Sequence, residues 1–170
     1  MKSVTVVITV VLLATMAMAG AANSRDVLGT AESNESLTMF VTGLRATGVA
    51  AMLKKDGLWT VFAPSNQAFT NMPQKDLEFL MANGAAMQIL LAHYIVHGNI
   101  GPADGANLSS ARTLLGLKLR TDTRSDSVRV NGAAISKAIP CTNGVLYTLD
   151  MFDPGLVREA IRAVTPTRPN

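Results

Sequence analysis

The chain has 170 residues, room for one domain at roughly 100–200 residues each. Hydrophobic residues make up 48% and charged ones 16%, which excludes a disordered chain on one side and a coiled coil on the other. A formal net charge of +3 is too small to imply nucleic acid as a partner, and an aromatic content of 5% leaves little for an aromatic stacking platform.

Met1-Lys2 supplies a positive charge, Ser3 to Leu13 are almost wholly apolar, and Ala14 to Ala22 are small. This is the layout of a secretory signal peptide over residues 1–21, with cleavage expected after Ala19 or Ala21. The apolar run is shorter than the ~20 residues that span a bilayer, so no membrane span is expected after its removal. The protein is then exported, to a periplasm or an extracellular space. Losing Lys2 lowers the net charge to +2. The remaining charge is split: residues 22–111 carry 5 basic and 7 acidic groups, and residues 112–170 carry 9 and 5. A lone cysteine, Cys141, cannot form an internal disulfide, so stability must come from the core.

From Ser36 to Leu53 apolar residues follow a helical stripe interrupted around Gly43 and Gly48, which predicts one helix or two short ones. Lys54-Lys55-Asp56-Gly57 stops it, and Leu58 to Ala63 reads as a short buried strand closed by Pro64. Ser65 and Asn66 are both good helix caps, and Met72-Pro73 interrupts before a second start at Gln74. Apolar periodicity from Leu77 through Tyr94, broken at Asn83-Gly84, predicts two helices running to about Gly98. Beyond it the texture turns to Gly, Pro, Asn and Ser. Short strands are then expected at residues 113–115, 117–121, 128–130, 133–135 and 145–149, with Asn131-Gly132 and Asn143-Gly144 as hairpin signals. Leu156 to Val164 adds a helix. Helices first and strands second give an α+β fold of one domain, residues 23–163, followed by a flexible tail at 164–170.

His93 and His97 are four apart, a spacing that puts two imidazoles on one helix face, but the chain holds no third histidine. No metal site is assigned. No Gly-x-Ser-x-Gly elbow, phosphate-binding glycine loop or recognisable carboxylate pair is present, so no catalytic residue and no cofactor are expected, and the protein reads as a non-enzyme. Cys141 has no basic neighbour and reads as a small buried filler, with a reactive thiol or an intermolecular crosslink as the other readings. The methionines fall mostly on helical apolar positions and read as core. Asn34-Glu35-Ser36 and Asn107-Leu108-Ser109 match the N-glycosylation acceptor.

Two segments then stand out together. TVFAPSNQAFTNMP, Thr60 to Pro73, resembles the first signature of fasciclin domains, and VNGAAISKAIPCTNGVLYTLDMFDP, Val130 to Pro154, resembles their second. LLAHYIVHG, Leu90 to Gly98, is similar to the Tyr-His stretch between them, and TLLG, Thr113 to Gly116, to the strand before the second signature. The resemblance covers about residues 24–155.

It implies a twisted β wedge covered by helices, acting in cell-surface or matrix adhesion through an unidentified envelope or extracellular protein or polysaccharide. In the matched motifs Thr60, Phe62, Pro64, Ser65, Asn66, Phe69, Asn131, Gly132, Asn143, Gly144 and Tyr147 take fold-making duties. The binding candidates are His93, Tyr94, His97, Ile139 and Cys141. Two positions depart from the family pattern: Ala138 stands before Ile139 where an acidic residue linked to receptor binding is frequent, and His93-Tyr94 inverts the Tyr-His order. The alternative reading is a periplasmic small-ligand binder with a pocket between helices and sheet near His93, Tyr94 and Cys141.

Overall fold

The computed structural model describes residues 24–101, 111–122 and 128–166. The expected signal peptide, the second candidate glycosylation acceptor and most of the expected tail lie outside them.

The first described element is one that apolar periodicity does not reveal. Helix α1, Val27–Glu32, is capped by Asp26, whose carboxylate accepts from the Gly29 N–H, and a 3-10 turn follows at Glu35–Leu37. The stripe from Ser36 then divides into α2, Thr38–Ala46, and α3, Val49–Leu53. Gly48 separates them because its φ of +77° lies where a side chain is strained. Strand β1, Trp59–Pro64, is buried along its whole length. Helices α4, Asn66–Thr70, α5, Gln74–Ala82, and α6, Gly84–Ala92, come next.

Of the two expected caps, Ser65 serves α4, its side chain accepting from the Ala68 N–H. Asn66 looks backward instead. Its carboxamide accepts from the Met39 N–H at 3.0 Å and donates to the Glu35 carbonyl at 3.0 Å, tying the start of α2 and the 3-10 turn before it to the start of α4.

Helix α6 ends at Ala92, short of the expected Gly98, and Ile95–His97 forms strand β2. The apolar pattern continues through both, but Ile95 and Val96 are β-branched and pair with Val61 and Thr60 of β1. Sheet pairing prevails over helical periodicity here. Strand β3 is Thr121–Asp122, β4 Arg129–Val130, β5 Ala133–Cys141 and β6 Gly144–Leu149, and helix α7 is Pro154–Val164. The strands expected over 113–121 reduce to Thr121–Asp122 and two isolated bridges, Val96 to Thr113 and Arg112 to Lys118. By contrast β5 runs well past Ile135, through a bulge between Ile135 and Lys137.

The sheet has six strands in the order β2-β1-β6-β5-β4-β3. Only β1 and β6 are parallel, and both are interior strands, each buried at every position. Continuous burial of this kind matches a strand covered on both faces. Helices α2, α6 and α7 supply much of the apolar cover, through Phe40, Leu44, Leu90, Leu91, Val157 and Ala160. Phe62 and Tyr147, neighbours across β1 and β6, stack with ring centroids 5.1 Å apart. The architecture is α+β.

Both Asn-Gly pairs lie at hairpins but do different work. Asn131 and Gly132 have φ of +51° and +83° and form the two-residue turn between β4 and β5, as a primed hairpin turn requires. In the second hairpin Gly144 already belongs to β6. Its φ is +143°, and a Cβ there would lie 1.8 Å from the Trp59 carbonyl oxygen. Asn143 accepts from the Val27 N–H at 2.7 Å, donates to the Leu53 carbonyl at 3.3 Å, and offers its own carbonyl to the Trp59 N–H at 2.8 Å. One residue joins α1, the end of α3 and the start of β1.

Gly144→Ala is expected to cost at least about 3 kcal/mol, combining backbone strain with overpacking against an immovable main chain. Asn66→Ala, which removes one partly buried bond and others that are exposed, is expected to cost about 1 kcal/mol. Urea unfolding of both variants checks the order.

Candidate functional site around His93 and Tyr94

The turn between α6 and β2 carries His93 and Tyr94. Both are buried, His93 at 1% and Tyr94 at 0% exposure. Opposite neighbours in sequence, they face different surroundings. The Tyr94 hydroxyl accepts from the Asp153 N–H at 2.9 Å, and its ring meets Phe152 edge-on, which in turn meets Phe69. Burial pushes the Tyr94 phenol up, far outside the physiological range.

Asp153 is the N-cap of α7. Its carboxylate accepts from the Gly155 N–H at 2.7 Å and pairs with the Arg120 guanidinium. The Arg120 N–H donates to the Asn131 side chain at 3.0 Å, and the Asn131 N–H returns a bond to the Arg120 carbonyl at 2.6 Å. Tyr94, Asp153, Arg120 and Asn131 thus form one chain of hydrogen bonds from the β2 side of the sheet to the β4–β5 turn. Asp153 and Arg120 were not singled out from sequence, although Asp before Pro at a helix start is a capping signal.

His93 lies beside this chain, in a cleft of about 290 Å³ that also touches Thr113, Lys118 and Glu159. Burial lowers its pKa below the ordinary value, and the nearby carboxylates of Glu159 and Asp153 only partly oppose that. Burial thus favours the neutral imidazole.

The remaining sequence candidates sit elsewhere. Rows of the sheet place His97, Trp59, Gly144 and Cys141 in register across β2, β1, β6 and β5, and Ile95, Val61, Leu146 and Ile139 in another. His97 is exposed and meets the Trp59 ring edge-on at 5.0 Å. Because β2 begins at Ile95, His93 and His97 do not share a helix face. Cys141 is half-buried, with Sγ 3.4 Å from the Thr30 hydroxyl, and burial pushes its thiol up, away from thiolate reactivity. It does not line the His93 cleft. Among the described residues no three His, Cys, Asp or Glu side chains come together to hold a metal.

A second cleft, of about 270 Å³, is mainly apolar and opens between α4, α5 and the start of α7 at Met72, Pro73, Met151, Phe152 and Val157. Met151 is exposed at its edge.

The sequence profile of the Fasciclin domain matches residues 35–152. The chain belongs to the fasciclin domain family. Among its relatives are the transforming growth factor-beta-induced protein ig-h3 of Sus scrofa, 28% identical over 130 residues, and periostin of Homo sapiens, 29% identical over 123 residues. These matches take in 73% and 70% of the chain but only 18% and 14% of those proteins. Protein sll1483 of Synechocystis is 27% identical over 140 residues, covering 81% of the chain and 77% of that protein. In solved structures, a FAS1 domain pair from the insect cell adhesion molecule Fasciclin I superposes with a TM-score of 0.60 at 15% identity, over 76% of this chain and 51% of that one. At that identity the likeness establishes the fasciclin fold alone.

The neutral His93 sets a pH dependence. As pH falls through about 6.5, an unfolded histidine takes up a proton that the native one resists, so stability is full above that value and declines below it. The groups facing His93 are Lys118 and Arg120 from the segment before β3, Asp153 at the α7 cap and Glu159 on α7. Urea midpoints measured between pH 7.5 and 5.5 should fall for the native protein and fall distinctly less for His93→Gln.

Proposed function

We infer that this fasciclin domain is an exported, non-catalytic module that mediates adhesion at a cell surface or matrix by binding another macromolecule, an envelope or extracellular protein or polysaccharide. The observation that carries the reading is family membership through residues 35–152, joined to a fold shared with an insect cell adhesion molecule. Architecture alone does not specify function, so the site geometry matters. Tyr94 and Cys141 are engaged in packing and internal hydrogen bonds, and His97 packs against the Trp59 ring. No helix among the described residues is long and apolar enough to cross a membrane, in keeping with a module released after signal cleavage into a periplasm or outside the cell.

Small-ligand binding is the second reading, favoured by the apolar cleft at Met72, Met151 and Phe152. Its size lies near the lower end of small-molecule sites.

Attachment of the source cells to surfaces coated with the purified protein separates the two. Adhesion predicts attachment several-fold above an albumin coat, competed by soluble protein and reduced in a deletion strain. Background attachment with an unaltered deletion strain would overturn it.

A further inference from the structure

Two buried polar atoms near the turn after α6 have no hydrogen-bond partner: Nε2 of His93 and Oγ1 of Thr113. Thr113 is 6% exposed and His93 1%. An orphaned buried group of this kind is costly and rare in native structures. Here the two residues that carry them, from separate segments, line one cleft, with the orphaned atoms themselves sealed behind its wall. The local fold does not need the threonine hydroxyl, since the Thr113 backbone N–H already donates to the Leu117 carbonyl at 2.8 Å and valine has nearly the same shape.

The rest of the cleft restricts what could satisfy them. Lys118 and Arg120 bring positive charge and Glu159 negative charge, while Leu117 and Leu156 are apolar. Among the described residues neither Lys118 nor Glu159 takes part in an ion pair, and Arg120 is already paired with Asp153. With the charges offset, an anion or a cation gains little net attraction. The lining instead mixes a donor (Lys118), an acceptor (Glu159) and two groups able to act with a partner that both donates and accepts (Thr113 and a neutral imidazole). Hydroxyl groups have that property. A ring bearing several of them would also lay its C–H face on Leu117 and Leu156.

We propose that this cleft binds a small polyhydroxylated ligand, about one sugar ring in size. Its volume of about 290 Å³ suits a molecule at the small end of known ligand sites. The two polar tips are sealed from solvent, so entry shifts the turn closed by the Thr113–Leu117 bond. The site is independent of the adhesion reading: either can hold without the other.

Amide NMR titration of the purified protein with glucose, galactose and myo-inositol tests it, with sodium phosphate and glycine as ionic controls. At least one polyol is expected to give saturable shifts at residues 113 and 117–120, weakened tenfold or more in Thr113→Val and in Glu159→Gln. Because Thr113→Val also removes an unpartnered hydroxyl, its Tm should rise, so loss of binding cannot be put down to unfolding. No saturable shift with any polyol, shifts with phosphate alone, or an unchanged titration in both variants would overturn the proposal. A lowered Tm for Thr113→Val would overturn it too, by showing the hydroxyl already satisfied by water inside the fold.

Discussion

The corner at Asn143 and Gly144 is the contact on which the domain depends. The parallel pairing of β1 with β6 brings together segments far apart in sequence, and closing so long a loop carries an entropic cost that local structure does not repay. At this corner the chains come close enough that Gly144 has no room for a Cβ beside the Trp59 backbone. The Asn143 side chain then serves the α1 N-terminus and the α3 C-terminus at once, meeting needs that helix ends otherwise leave to water. Burial of β1 and β6 on both faces follows from that placement.

Much of this was legible in the residues, for reasons that differ from place to place. Ser65 caps α4 because the strand stop at Pro64 and the cap are adjacent in sequence, and such local signals survive into the structure. Asn131-Gly132 behaves as a hairpin turn because both residues tolerate positive φ. The role of Asn143 and Gly144 was only half legible: the hairpin is local, but the approach to Trp59 and the bonds to Val27 and Leu53 are long-range. Helix α1 is six residues long, too short for a periodic signal. The misplaced end of α6 is instructive in another way, since Leu90 through Val96 is apolar or aromatic apart from His93 and a strand at Ile95 shows only once β1 is beside it.

The same limit governs the functional residues. His93 and Tyr94 were visible as a pair, yet their neighbours come from two other segments that only the fold assembles, Thr113 and Arg120 from the stretch before β3 and Asp153 from the α7 cap. Tyr94 is used up in holding the α7 cap, whereas His93 keeps an unsatisfied nitrogen in a cleft with polar walls. Cys141 and His97, three strand spacings apart in one row of the sheet, belong to neither arrangement. The family signature therefore reports mostly on the scaffold.

Native-state hydrogen exchange at the Val27 and Trp59 amides, compared between the native protein and Asn143→Ala, tests the corner most directly. If Asn143 joins the N-terminal helix to the sheet, the Val27 amide loses its protection in the variant, while Trp59, whose acceptor is a backbone carbonyl, keeps most of its own. Equal protection of Val27 in both proteins would contradict the account.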